Sequence, residues 1–104
     1  MTRSVRIEAT AREELAAAVQ WYEEQRSGLG AEFLDSVHDA ITRLIETPGI
    51  ALRVPGCPAD LPARRIFVRR FPYAVVFMDS GEELRVIAVA HLKRRPGYWV
   101  SRTS

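Results

Sequence analysis

Lysine is almost missing from this chain of 104 residues: Lys93 is the only one, and the other fourteen of its fifteen cations are arginines. Cysteine is scarce, too. Cys57 stands alone, which excludes an internal disulfide and a cysteine-based zinc site. It lies in a Pro/Gly-rich stretch with no base beside it and reads as a bystander thiol. Only two histidines occur, His38 and His91, and they are far apart in sequence. His38 is flanked by Asp35 and Asp39, but no second histidine follows at helical spacing, so it reads as a surface or hairpin-packing histidine. No apolar run approaches the ~18 residues that cross a bilayer. No signal-peptide core follows the N-terminus, so a cytoplasmic location without membrane contact is the expectation. There is no GxGxxG or P-loop pattern and no internal repeat. No carboxylate pair stands where a Mg²⁺-dependent nuclease needs one, because Asp79, Glu82 and Glu83 crowd a single turn. Neither a metal nor a cofactor is expected.

What is present is asymmetric. Residues 1–52 hold five arginines against nine acids, a net −4, and residues 53–104 hold ten cations against four acids, a net +6. A basic half of this kind reads either as a surface for an anionic partner, nucleic acid or an acidic protein, or more plainly as a solvated surface with surplus arginine. Its centre is Arg64-Arg65-Ile66-Phe67-Val68-Arg69-Arg70-Phe71-Pro72-Tyr73, with four arginines and three aromatic rings in ten residues. In a strand, successive side chains face opposite ways, so each face carries both apolar groups and guanidinium. Pro72 removes a ladder donor and predicts a corner at residues 70–73.

The length suits one domain with a single core, residues 1–104. Val5, Ile7 and Ala9 alternate with Arg6 and Glu8 and predict a half-buried strand. Thr10-Ala11-Arg12-Glu13 has the form of a capping box and predicts a helix start at Thr10. Ala11, Leu15, Ala18, Val19 and Tyr22 form one apolar stripe, while Glu13, Glu14, Gln20, Glu23 and Glu24 read as solvent-facing cover. Ser27-Gly28-Leu29-Gly30 ends that helix. A second runs from about Ala31 to Glu46, with Phe33 or Leu34, Val37, Ala40, Ile41, Leu44 and Ile45 as its stripe, and Thr47-Pro48-Gly49 stops it. The short link makes a helical hairpin. Residues 49–63 read as a loop. Strands follow at 64–70, 73–79 and 83–91, with a hairpin turn at Asp79-Ser80-Gly81-Glu82. In the last strand, strict alternation puts Leu84, Val86, Ala88 and Ala90 on one side.

The expected fold is therefore α+β, in the order β-α-α-β-β-β, with the helical hairpin on one face of an antiparallel sheet and the other face open. Arg64, Arg65, Arg69, Arg70, His91, Lys93, Arg94 and Arg95 should gather toward that open face or its rim. Arginine's planar fork suits phosphate and carboxylate. Phe71, Tyr73, Tyr98 and Trp99 have the surface to stack on bases, although Phe71 and Tyr73 read more simply as core. His91 is the only candidate proton carrier of the histidine type, and Tyr98 a second proton donor or acceptor. The plainer reading of His91 is a strand-end side chain capping a nearby backbone group.

Ala11-x-x-Glu14-Leu15, Trp21-Tyr22, Gly28-Leu29-Gly30-x-x-Phe33, Pro48, Arg70-Phe71-Pro72-Tyr73, His91-x-x-Arg94 and Tyr98-Trp99-x-x-Arg102 together resemble the RelE/ParE superfamily of toxins over residues 5–102. These are the toxic halves of bacterial type II toxin–antitoxin modules, often labelled plasmid stabilisation proteins. The resemblance implies growth inhibition, a cognate antitoxin that neutralises the toxin, and a toxin–antitoxin hetero-oligomer. Two targets are open. RelE-like members are ribosome-dependent, metal-independent mRNA endonucleases; in that case His91, Tyr98, Arg70 and Arg65 are the catalytic candidates. ParE-like members poison DNA gyrase; Arg64, Arg69, Lys93, Arg94, Arg95, Trp99 and Arg102 are then the target- or antitoxin-binding candidates. Residues 49–63 offer only Arg53 and Asp60 as charged groups, fewer than RelE-like nucleases carry there. That shortage and the Tyr98-Trp99-x-x-Arg102 ending favour the ParE-like side.

Overall fold

The computed structural model describes residues 4–54, 58, 61–95 and 97–103, so Cys57 and Asp60 lie outside the described residues. The chain order is β1 (Ser4–Ile7), α1 (Ala9–Gln25), α2 (Leu29–Glu46), a one-turn 3-10 helix (Pro48–Ile50), β2 (Leu52–Arg53), β3 (Ala63–Phe67), β4 (Tyr73–Asp79), β5 (Glu83–His91) and a second 3-10 turn (Val100–Thr103). The strands form one sheet in the order β1-β5-β4-β3-β2. The meander β3-β4-β5 is antiparallel, and β1 joins its edge in parallel with β5, pairing Ser4 with Glu83 through Ile7 with Val86. The helical hairpin on the sheet is as the apolar stripes imply. The stretch read wholly as loop also contributes β2, a short edge strand on Arg64 and Arg65.

Two local expectations are corrected. The capping box does not form: α1 starts at Ala9, preceded by an extended Glu8 with no side-chain cap. The sheet decides this, because the Glu8 N–H still donates to the Val86 carbonyl (3.0 Å) and its carboxylate pairs with Arg85 (2.8 Å). Strand alternation also fails in β5. Val76 faces Ala88 and Phe77 faces Val86, leaving Ile87 as an extra residue, a β-bulge. The bulge resets the parity, so Leu84, Val86 and Val89 face the helices while Ile87 and Ala88 face the other way.

The main core lies between hairpin and sheet: Phe33, Val37 and Leu44 from α2 and Ala11, Ala18 and Tyr22 from α1 pack with Ile66, Val75, Phe77 and Val86. The two helices approach closely at Gly30, where a Cβ would sit 2.7 Å from the Val19 carbonyl oxygen. Gly28 turns the chain between them with φ of 91°, a left-handed conformation that glycine adopts without penalty. The Glu23 carboxylate accepts the N–H groups of both Gly28 and Gly30, which are free donors at the start of α2.

The opposite face is not open. Trp99 is 1% exposed and packs with Val54, Ala63, Val76, Ile87 and Ala88 in a second cluster. Reading 92–104 as a basic tail missed this, because a single tryptophan has no periodicity to betray its burial.

Candidate functional site

Beyond Val86, β5 has no strand partner on its β1 side among the described residues, since β1 ends at Ile7. Exposed edge groups must find other partners. Here they find side chains. The Val89 N–H donates to Glu14 Oε1 (3.0 Å), and Arg102 Nη1 donates to the bulged Ile87 carbonyl (3.2 Å). Arg102 also grips both oxygens of Glu14, Nη1 to Oε1 at 2.9 Å and Nη2 to Oε2 at 3.2 Å. The Tyr98 hydroxyl donates to Glu14 Oε2 at 2.6 Å, and Arg94 Nη1 stands 3.6 Å from the same oxygen. One carboxylate from α1 thus holds the chain's C-terminal segment against the sheet edge.

The electrostatics follow from that geometry. Burial, then the hydrogen bond to Glu14, pushes the Tyr98 phenol far above its ordinary 10. Arg102 is raised chiefly by its hydrogen bond to Glu14. The Tyr98 ring lies under Arg94, 3.7 Å from its guanidinium carbon, and 5.1 Å from that of Arg102. A guanidinium over a ring face is attracted by the negative face of its π system.

Glu14 is the residue that sequence reasoning misplaced, as cover for the outside of α1. A signal existed: Glu14 lies three residues after Ala11 and four before Ala18, both buried, so it sits on the flank of the apolar stripe. The resemblance motif also contained it.

The other candidates divide into two groups. Arg65, His91, Arg94, Arg95, Tyr98 and Trp99 come together around a narrow cleft of about 40 Å³ on the Trp99 side of the sheet. Arg65 places its guanidinium 4.8 Å from the Phe67 ring centre, and its Nε is buried with no hydrogen-bond partner among the described residues. His91, at the end of β5, accepts the Lys93 N–H on Nδ1 (3.0 Å), so the neutral ring carries its proton on Nε2. This is the backbone-capping role. The His91 ring also stands edge-on to Tyr73 at 5.0 Å. Lys93 and Arg95 are exposed.

Arg64, Arg69 and Arg70 do not join that cleft. Arg64 is exposed and points from β3 with the parity of Ile66, toward the helix side. Arg69 lies 3.9 Å from Asp39, and Arg70 donates to Glu32 Oε1 at 2.8 Å. The arginine-rich corner is therefore anchored to α2. Hydrogen bonds from Arg70 and then Arg26 hold the Glu32 carboxyl below the usual carboxylate range. Phe71 packs into the main core against Tyr22 and Phe33, with Tyr73 beside them, as the plainer reading of those rings has it. Trp99 is corrected from a contact residue to a core residue, because its ring fills the second cluster and leaves no surface for a base or a partner.

The helical hairpin on this sheet is the fold of the RelE/ParE superfamily of toxins. Residues 5–96 match the family described as "ParE toxin of type II toxin-antitoxin system, parDE", and the chain belongs to that family as the toxin component of such a module. A solved structure titled "Chromosomal ParDE TA system from P. aeruginosa" shares the fold, with a TM-score of 0.72, 14% identity, and 88% of this chain and 98% of that chain covered. No curated protein matches the sequence significantly.

Proposed function

We propose that this toxin acts as a ParE-type poison of DNA gyrase and is neutralised by a cognate antitoxin in a toxin–antitoxin hetero-oligomer. The observation that carries this reading is the Tyr98–Glu14 hydrogen bond. A general acid or base works best with a pKa near the operating pH. Tyr98 is held far above it, and its proton is committed to a carboxylate that also serves Arg102 and β5. The Nδ1 of His91 is committed as well. The Tyr98 hydroxyl and one ring nitrogen of His91 are thus tied into the fold, while Lys93 and Arg95 remain exposed for protein or DNA contact.

One observation supports the RelE-type alternative: Arg65 and His91 share the cleft. The two readings separate in a pair of assays. The purified toxin should block gyrase supercoiling or leave cleaved DNA, with ribosome-bound mRNA intact. Gyrase inhibition should survive His91→Ala and fall in Arg94→Ala or Arg95→Ala. Codon-specific mRNA cuts that disappear in His91→Ala, by a factor of about 10²–10⁴, would overturn the gyrase reading. Unimpaired growth on induction of the toxin alone would reduce the chain to an antitoxin-binding module.

A further inference from the structure

The outer flank of the helical hairpin leaves apolar surface that the main core only half covers. Leu15 and Val19 of α1, Leu34 of α2 and Ile7 of β1 are each partly buried, and together they floor a groove of about 720 Å³. Arg12, Ala16, Val19 and Glu23 follow one another along its wall at three- and four-residue steps, which places them on one face of α1. Ala16 is exposed and presents only a methyl group, so another helix can come close there. The groove is apolar in its middle and charged at its ends, with opposite signs. Arg12 stands at one end, and Glu23 and Glu24 at the other, roughly 18 Å away at about 1.5 Å per residue. Glu23 spends its carboxylate on the N–H groups of Gly28 and Gly30, which leaves Glu24 as the uncommitted acid of that end. Arg12 and Glu24 are both exposed and make no ion pair among the described residues.

An apolar strip with opposite charges at its two ends fits a copy of itself turned through half a circle, the relation that a two-fold dimer requires. We propose that the toxin, when free of its antitoxin, pairs with a second copy of this chain through this groove, α1 packed antiparallel on α1. In that arrangement Arg12 of each copy meets Glu24 of the other. Ala16 of each faces Val19 of the other, and Leu34 closes the flank on both sides. An acidic segment suits the groove less well, because it would meet two carboxylates for one cation. The dimer uses the side of the hairpin turned away from the sheet, and it stands whichever macromolecule the toxin attacks.

The test is sedimentation equilibrium of the full chain, purified free of antitoxin, across the micromolar range. A reversible monomer–dimer equilibrium is expected. Arg12→Glu and Glu24→Arg, both at exposed positions, should each weaken it about tenfold, because the two-fold axis repeats every contact and each reversal sets like charges together twice. Mixed in equal amounts, the two variants should recover an affinity close to the native one, since each supplies the charge that the other lacks. That recovery also shows that both variants are folded. Three results would each overturn the dimer: a chain that stays monomeric throughout the range, association that neither reversal changes, or variants that weaken it singly and do not recover on mixing. A monomer whose complex with the co-purifying antitoxin weakens in Ala16→Arg would give the groove to the antitoxin instead.

Discussion

Tyr98 donates its hydroxyl proton to Glu14 across 84 residues of sequence, at 2.6 Å. The pair joins α1 to the C-terminal segment and closes the edge of β5 that β1 is too short to reach. Glu14 accepts from the Tyr98 hydroxyl, the Val89 N–H and the Arg102 guanidinium together. Substituting Glu14→Gln keeps the shape but removes the charge and turns one acceptor into a donor. A loss of about 1–3 kcal/mol is expected in chemical denaturation. Amide exchange should quicken first at 98–103, where the latch is lost, and a uniform increase across all elements would count against the latch.

All three tyrosines are raised above the ordinary 10: Tyr22 and Tyr73 by burial, and Tyr98 by burial and then by Glu14. In the unfolded chain they ionise near 10. Above that pH the folded state binds more protons than the unfolded one, so stability is full below the unfolded value and falls as pH rises past it. Absorbance at 295 nm should show little tyrosinate in the native protein at pH 10, followed by a cooperative rise on alkaline unfolding. Tyr98→Phe should make stability less sensitive to pH above 10. A tyrosine titrating freely near 10 in the folded state would contradict this.

The corner residue Arg70 has φ of 75°, the only described non-glycine residue with a positive φ. That conformation is strained for an L-residue with a Cβ. Its ion pair with Glu32 is exposed and adds little through water. Arg70→Gly should therefore be more stable than Arg70→Ala by up to about 1 kcal/mol, measured by denaturant midpoints. If the alanine variant proved the more stable, the strain at this corner would be absent.

Binding of the antitoxin should depend on salt. The basic half of the chain keeps Arg65, Lys93 and Arg95 without ion pairs among the described residues, and an acidic antitoxin segment is drawn to such a surface. Screening shortens that attraction from roughly 10 Å at 0.1 M salt to roughly 3 Å at 1 M. Affinity measured by titration calorimetry should fall across this range. An affinity that holds constant would remove charge from the account of recognition.

Much of the architecture was legible in the order of residues. Period-three-and-four stripes such as Ala11, Leu15, Ala18 and Tyr22 mark helices because a helix buries one face. Pro72 and Gly81 mark the corners because they restrict or widen backbone choice. The clustering of cations after residue 53 is plain from composition. Tertiary structure decided the rest. Thr10 and Glu13 have the chemistry of a cap, but sheet pairing carried the chain as far as Glu8 and started the helix elsewhere. Ile87 looks like any strand residue, yet a bulge there reversed the faces of everything after it. Glu14 looks solvated beside Glu13, and only the unfilled edge of β5 makes it the acceptor for Tyr98 and Arg102. Trp99 has no local pattern at all, and it is buried because the opposite face of the sheet needed a cover. Local periodicity records which face of one element is apolar, while partners distant in sequence leave no local mark; here they set both the latch and the cleft.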